Sequence, residues 1–272
     1  MGEMKILEKF CKSKSRDESL NEDGYLINDK FIAVVDGATS KSKQASGQKT
    51  GGQLLKEIIL ESLNAIDGNI DMKDAVLTIQ RSILSKAPEE MIGHAAASSI
   101  IYSPARNEVW MIGDCQMLMN GKRYNYSLKV DDLLSQLRSF TIKCLIKQGA
   151  TVEELIENDK GREMIMPFLK FQALLENTSD DLGYCVFNNA TDVKDFPLDK
   201  VIKIDVPQNA EIVLASDGYP ELMPTLQESE ERLAKILKED PMCYQLYVGT
   251  KGINGDNESF DDRTFVRFQI EQ

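Results

Sequence analysis

Histidine, tryptophan and long apolar runs are almost missing from this chain. One histidine, His94, and one tryptophan occur in 272 residues. The five cysteines, at positions 11, 115, 144, 185 and 243, are odd in number and never spaced CxxC. That excludes a zinc knuckle and a disulfide framework, and leaves the thiols reduced. Residues 1–22 carry charges throughout with no apolar stretch of the leader type, and no run approaches the ~20 apolar residues that span a bilayer. A cytoplasmic protein without membrane association is expected. Positive charge is scarce too: 32 Lys and Arg stand against 44 Asp and Glu, a net charge of −12. Nucleic-acid binding, which needs a concentrated basic surface, is excluded, since Lys41, Lys43 and Lys49 form only a short basic stretch. A Gly-x-Ser-x-Gly nucleophile turn is also lacking.

Acids at strand ends are what the chain has instead. Two β-branched apolar runs end in Asp-Gly, at Phe31 to Gly37 and at Glu211 to Gly218. Each predicts a buried strand that delivers a carboxylate, Asp36 or Asp217, to its end. Asn21-Glu22-Asp23, Gly113-Asp114 and Asp261-Asp262 place acids beside three further strands. A single Asp-Gly is usually a turn. Five acidic strand ends are different, because two carboxylates about 4 Å apart repel by roughly 4 kcal/mol at an effective dielectric near 20. A cation between them would remove that cost. Hard oxygen donors without a His or Cys cluster favour magnesium or manganese over zinc or copper.

The elements follow from periodicity. Tyr25 to Asn28 and Phe31 to Asp36 predict a hairpin through Asp29-Lys30. Leu54, Leu55, Ile58, Ile59, Leu63 and Ile66 recur at helical spacing, and a second helix runs from an Asp71 cap to Pro88. Ala95 to Ser103, Glu108 to Ile112 and Gln116 to Met119 form a meander, and residues 130–177 are helical. Gly183 to Asn188, Val201 to Val206, Ile212 to Ser216 and Arg263 to Ile270 read as strands, and Leu222 to Lys238 as a helix. Hairpins with helices grouped between them predict an α+β fold with mainly antiparallel sheets in a single domain, 1–272.

Six motifs in order, Asn21-Glu22-Asp23, Val35-Asp36-Gly37, Gly51-Gly52, Gly113-Asp114-Cys115, Leu214-Ala215-Ser216-Asp217-Gly218 and Asp261-Asp262-Arg263-Thr264, run through nearly the whole sequence. In that order and spacing the chain resembles the metal-dependent type 2C Ser/Thr protein phosphatases, the PPM family, in a bacterial-type form. The resemblance implies a four-layer α-β-β-α sandwich with two Mg²⁺ or Mn²⁺ ions at one edge of the sheets. It implies Asp36 as the bridging ligand, Gly37 through its carbonyl, Glu22 through water, and Asp217 and Asp261 on the other ion. Asp114 and Glu221 match acids of a third ion, and Asp23 and Asp262 support the ligands. Direct attack of metal-activated water on a phosphoserine or phosphothreonine of a phosphoprotein is the implied chemistry.

Two positions depart from the family pattern. Glu18 stands where a phosphate-gripping Arg is common, with Arg16 two residues upstream as its candidate replacement or else a solvated surface residue. Ala38 stands where many members have a His, which predicts slower turnover on leaving groups of high pKa. His94 receives no role, and Cys115 is expected to pack beside the Asp114 turn. The helical block at about 130–177 matches the position of a variable flap, and either gates the cleft, binds a regulator or is a plain structural layer. A catalytically silent regulatory member of the fold and a hydrolase of small phosphate compounds are the alternative functions.

Overall fold

Strand β3 (Ile32–Thr39) carries an apolar run because both of its faces are covered. Ile32 and Val34 enter a core between two sheets, and Ala33 and Val35 enter a core beneath helices. The computed structural model describes residues 3–39, 49–89, 93, 95–255 and 257–271. His94, Lys41 and Lys43 lie outside the described residues.

Antiparallel pairing builds both sheets. The first has the order β1 (Glu3–Lys12), β11 (Arg263–Glu271), β10 (Glu211–Ala215), β6 (Gln116–Met119), β7 (Lys122–Asn125). The second runs β2 (Asp23–Ile27), β3, β4 (Ala95–Ser103), β5 (Glu108–Ile112), β9 (Ile202–Asp205), with the short β8 (Phe187–Asn188) also on β4. Alternation sends Ile100, Tyr102, Val109 and Met111 inward to meet Met117, Ile212, Leu214, Val266 and Phe268 of the facing sheet. Helices α1 (Gly51–Ala65) and α2 (Met72–Lys86) cover the outer face of the second sheet through Leu55, Ile59, Leu63, Val76, Ile79 and Ile83, against Ile101, Trp110 and Ile112. Helix α6 (Leu226–Glu239) lies across the first sheet's outer face, where Leu226 joins Val213, Ala215, Tyr219 and Phe265. The layers are α-β-β-α.

Local chemistry sets the boundaries. Thr50 and Gln53 form a capping box at the start of α1, and the Asp71 carboxylate accepts the Asp74 N–H at 2.9 Å at the start of α2. Helix α6 starts at Leu226, later than the expected Leu222, because Thr225 and Glu228 form a capping box there. The expected strand over Gly183 to Asn188 shrinks to two residues. The Asn177 side chain takes both the N–H and the C=O of Val186, at 2.9 Å each, in place of a ladder partner.

The helical block comprises α3 (Lys129–Lys147), α4 (Val152–Glu157) and α5 (Lys160–Phe171). Helix α5 packs antiparallel on α3: Gly161 lies against Ile142, Ile165 packs with Leu134, and the Gln172 amide donates to Asp131 at 2.8 Å. The Arg138 side chain, fully buried, donates to Asp159 and to the carbonyls of Met242 and Gly249, and so ties α3 to α5 and to the 241–249 loop. No described helix is long and apolar enough to cross a membrane.

Candidate active site

The two Asp-Gly pairs are sites of close backbone approach. A Cβ on Gly37 would lie 2.4 Å from the Gly52 carbonyl oxygen and 2.8 Å from that of Glu22. One on Gly218 would lie 1.9 Å from the Asp262 carbonyl oxygen. Glycine is therefore required at both places to let neighbouring segments touch. At the first, the Gly37 N–H donates to the Glu22 carbonyl at 3.2 Å, which brings the acid-bearing turn before β2 beside the end of β3. At the second, the end of β10 meets the segment just ahead of β11, held by the Ser216 N–H on the Thr264 carbonyl at 3.1 Å and the Thr264 N–H on Ser216 Oγ at 2.9 Å.

One cleft of about 580 Å³ collects the results. Glu22, Asp36, Gly37, Asp114, Asp217 and Asp261 all line it. Gly113, at φ +84°, turns the chain after β5 so that Asp114 accepts the Ser98 hydroxyl at 2.6 Å. Asp23 lies behind the wall, paired in register with Asp36 and accepting from the Thr264 hydroxyl at 3.1 Å. Asp262 is buried and accepts the Glu22 N–H at 2.9 Å and the Lys14 N–H at 2.8 Å. Glu22 accepts the Thr50 hydroxyl.

Electrostatics mark these acids as mutually opposed. Burial, then repulsion from Asp23, Asp217 and Asp114, pushes the Asp36 carboxyl well above the usual carboxylate range. Asp36 and Asp217 stand within hydrogen-bonding reach of one another. Depth in the cleft and the charge of Asp114 raise Asp217 as well, although its side chain still meets solvent through the cleft mouth. Asp23 is pushed up to about 7 by burial and by Asp262 and Asp217. Burial foremost, with Asp36 and Asp114 adding, raises the Cys115 thiol far above its ordinary value, so that side chain is inert packing.

Six charged groups in the cleft had no motif to announce them: Lys14, Asp131, Asp159, Arg162, Glu176 and Lys251. Lys14 and Lys251 both hold Asp261, the first at 2.7 Å. Burial lowers the Lys251 ammonium to about 8. From the helical block come Arg162, bonded to the Thr250 carbonyl, and Asp131, raised by burial to about 6. Lys14 follows β1, a strand hidden by its charges, and Lys251 rides a loop packed by Gly252 against Met242. Two expected residues lie elsewhere. Arg16 is 80% exposed and faces Glu258, and Glu221 pairs with Arg232 and Arg123, off the cleft lining.

Hard oxygen donors from separate strand ends, with raised carboxyl pKa values that a cation would reverse, fit magnesium or manganese in kind. Among the described residues no three acids form a closed ligand array, and lysines occupy Asp261.

No family model matches the sequence, and no curated protein matches it. Solved structures do match the fold. The catalytic domain of the serine/threonine protein phosphatase PstP, in complex with two manganese ions, superposes with a TM-score of 0.53 at 13% identity, over 99% of this chain and 100% of that one. The Mycobacterium tuberculosis phosphatase PstP/Ppp gives 0.50 at 14% identity, over 98% and 100% of the two chains. The Mycobacterium smegmatis PPM phosphatase MsPP, in complex with cacodylate, gives 0.50 at 14%, over 98% and 99%. The fold is that of the PPM phosphatases.

Proposed function

We propose that the protein is a divalent-metal-dependent phosphatase that hydrolyses phosphoserine or phosphothreonine in proteins. The observation that carries this reading is the convergence of Glu22, Asp36, Asp114, Asp217 and Asp261, from five separate chain segments, on one cleft. Glu22, Asp36, the Gly37 carbonyl, Asp217 and Asp261 are the proposed ligands of two Mg²⁺ or Mn²⁺ ions, with Asp114 for a third. Asp23 and Asp262 position that set from behind. Glu221, held by its two arginines, is left out of it. Residues 1–272 form one domain on this reading, with 130–177 as the cleft-side insertion, in a cytoplasmic setting.

Bound metal would supply an activated water and neutralise charge on the phosphoryl oxygens. The chain's own cations do the rest. Lys14 and Lys251 stand on either side of Asp261 and present two ammonium groups to a phosphoryl group in the cleft, the task expected of Arg16. Asp262 fixes the backbone of both Glu22 and Lys14, so an acid and a cation keep one spacing. Ala38 lines the cleft without a proton to give, so leaving groups of low pKa are preferred.

A phosphothreonine peptide and p-nitrophenyl phosphate, each with Mn²⁺, Mg²⁺ or EDTA, test the proposal beside an Asp36→Asn, Asp217→Asn double variant. Metal-dependent phosphate release that the variant lacks supports it. The engagement of Asp261 by two lysines favours a second reading, a catalytically silent regulatory protein on the same fold. Folded wild type that binds Mn²⁺ and hydrolyses neither substrate would establish that reading and sink the first.

A further inference from the structure

Helices α3 and α5 wall the cleft with one side and leave a large apolar surface on the other. Leu169, Gln172 and Ala173 face the cleft. Leu133, Leu137 and Phe140 on α3 are 58%, 36% and 64% exposed, and Met164, Phe168 and Phe171 on α5 are 59%, 48% and 60% exposed. Both triplets recur at i, i+4, i+7, one stripe per helix. At 100° per residue the α3 stripe adjoins the Val130 and Leu134 side that meets α5, and the α5 stripe adjoins Gly161 and Ile165, which meet α3. By the same geometry the α5 stripe lies on the side of its helix away from Arg162 and Leu169, which line the cleft, and the α3 stripe lies on the side of its helix away from Ile142. With Leu174, 73% exposed just beyond α5, the exposed apolar side chain is on the order of 600–800 Å². Surfaces of that size mark interfaces, since isolated exposed side chains are ordinary and a contiguous patch is not.

Charge selects the occupant. Lys129, Lys143 and Lys147 border the stripe on α3, and Lys160 and Lys170 border it on α5, all exposed. None of the five makes a salt bridge among the described residues, and only Asp132 and Glu163 oppose them on the exposed sides of these two helices. The acids of α4, Glu153, Glu154 and Glu157, belong to a helix packed through Leu155 on Ile142, the opposite flank of α3. The patch is therefore net cationic on a chain of net charge −12. A second copy would bring lysines against lysines, which disfavours self-pairing.

We propose that the α3/α5 face docks an acidic amphipathic helix of another protein, its apolar side on the two stripes and its carboxylates on the lysine rim. Docking there is independent of the phosphatase reading, because none of the stripe residues lines the cleft.

Fluorescence anisotropy with a designed helical peptide, Leu on one face and Glu on the flanks, tests it against the same peptide with Lys for every Glu. The acidic peptide is expected to bind at least about tenfold tighter, and to weaken as salt is raised. Phe140→Ser with Phe168→Ser is expected to abolish binding, Lys143→Glu with Lys170→Glu to reverse the preference, and neither pair to shift the melting temperature by more than a few degrees. Equal binding of both peptides, binding that survives both pairs, no binding of either peptide, self-association in sedimentation that Phe140→Ser removes, or binding only to anionic vesicles would each overturn the proposal.

Discussion

The Lys14 ammonium lies 2.7 Å from Oδ1 of Asp261, and Lys251 takes the other oxygen of the same carboxylate. Two cations on one acid inside a carboxylate-rich cleft give these lysines a double effect. They neutralise Asp261, and they present positive charge where a phosphoryl group would lie. Lys14→Met and Lys251→Met are expected to raise KM for a phosphopeptide by about tenfold or more each, the scale of a charge-assisted hydrogen bond. The Mn²⁺ concentration for half-activation should fall in both, because Asp261 loses a competitor. Arg16→Met, at an 80% exposed side chain, should leave both constants unchanged. Steady-state kinetics at varied Mn²⁺ decides it, and a large effect at Arg16 alone would return the phosphate to the residue the sequence suggested.

The pH dependence of the metal-free protein follows from the raised acids. Asp23 titrates near 7 and Asp131 near 6 in the fold, against an ordinary value of 3.8. Between those limits the folded state holds protons that the unfolded chain has released. Their stabilising contribution is full below about pH 4 and is lost as pH rises through about 6 and 7. In EDTA the melting temperature should therefore be lower near pH 8 than near pH 6. A divalent cation that takes the ionised acids should close that gap, with the larger Mn²⁺ shift at the higher pH. A melting temperature in EDTA that climbs over the same interval would mean that the acids do not repel as their positions require.

Asp262 joins the two halves of the site without facing it. Its carboxylate is 2% exposed and accepts the backbone N–H groups of Glu22 and Lys14. Asp262→Ala leaves two backbone donors without their acceptor, which costs about 2–4 kcal/mol. Urea unfolding measures that cost. Mn²⁺ affinity should drop with it, whereas Asp262→Asn, which keeps an acceptor oxygen, should recover part of both.

Much of this fold was legible because its signals are local. Strands β4, β5 and β6 have the boundaries that alternation and turn residues predicted, but they do not form the expected meander, because β6 crosses to the other sheet between β10 and β7; Asp71 caps α2 as its spacing required. Strand β1 was hidden because its charges find their partners in segments distant in sequence, Glu8 in Arg267 of β11 at 3.0 Å and Lys12 in Glu258 of the loop before it. Strand β7 did have a signal, the Asn120-Gly121 pair, whose positive φ values of 50° and 75° make a two-residue hairpin turn. In the site, acids at strand ends could be read because a strand's end is a local property. Lys14, Lys251, Arg162 and Asp131 could not, since each reaches the cleft through tertiary packing of a loop or helix with no periodicity to expose it. The same reason misplaced Arg16: sequence proximity to Glu22 says nothing of which side of the β1–β2 connection faces the cleft.

Arg138 is the test of how firmly the helical block is held. A fully buried guanidinium would be a large cost by itself, and here Asp159 takes two of its N–H groups at 3.1 and 2.6 Å while the Met242 and Gly249 carbonyls take others at 2.8 and 3.0 Å. Arg138→Met keeps the apolar stem but strands those acceptors. The Asp159 side chain is 20% exposed and recovers some hydration, so the expected loss is about 3 kcal/mol, the lower end for a broken buried pair. The effect should be uneven. Amides of 241–249 should exchange with solvent faster, and Lys251, on the loop that follows, should lose its fixed place beside Asp261, so KM for phosphopeptide rises as well. Strands β3 and β10, which Arg138 does not touch, should keep their protection. Hydrogen exchange read by mass spectrometry separates these outcomes, and uniform loss of protection across both sheets would show that the helical block and the sandwich unfold as one unit.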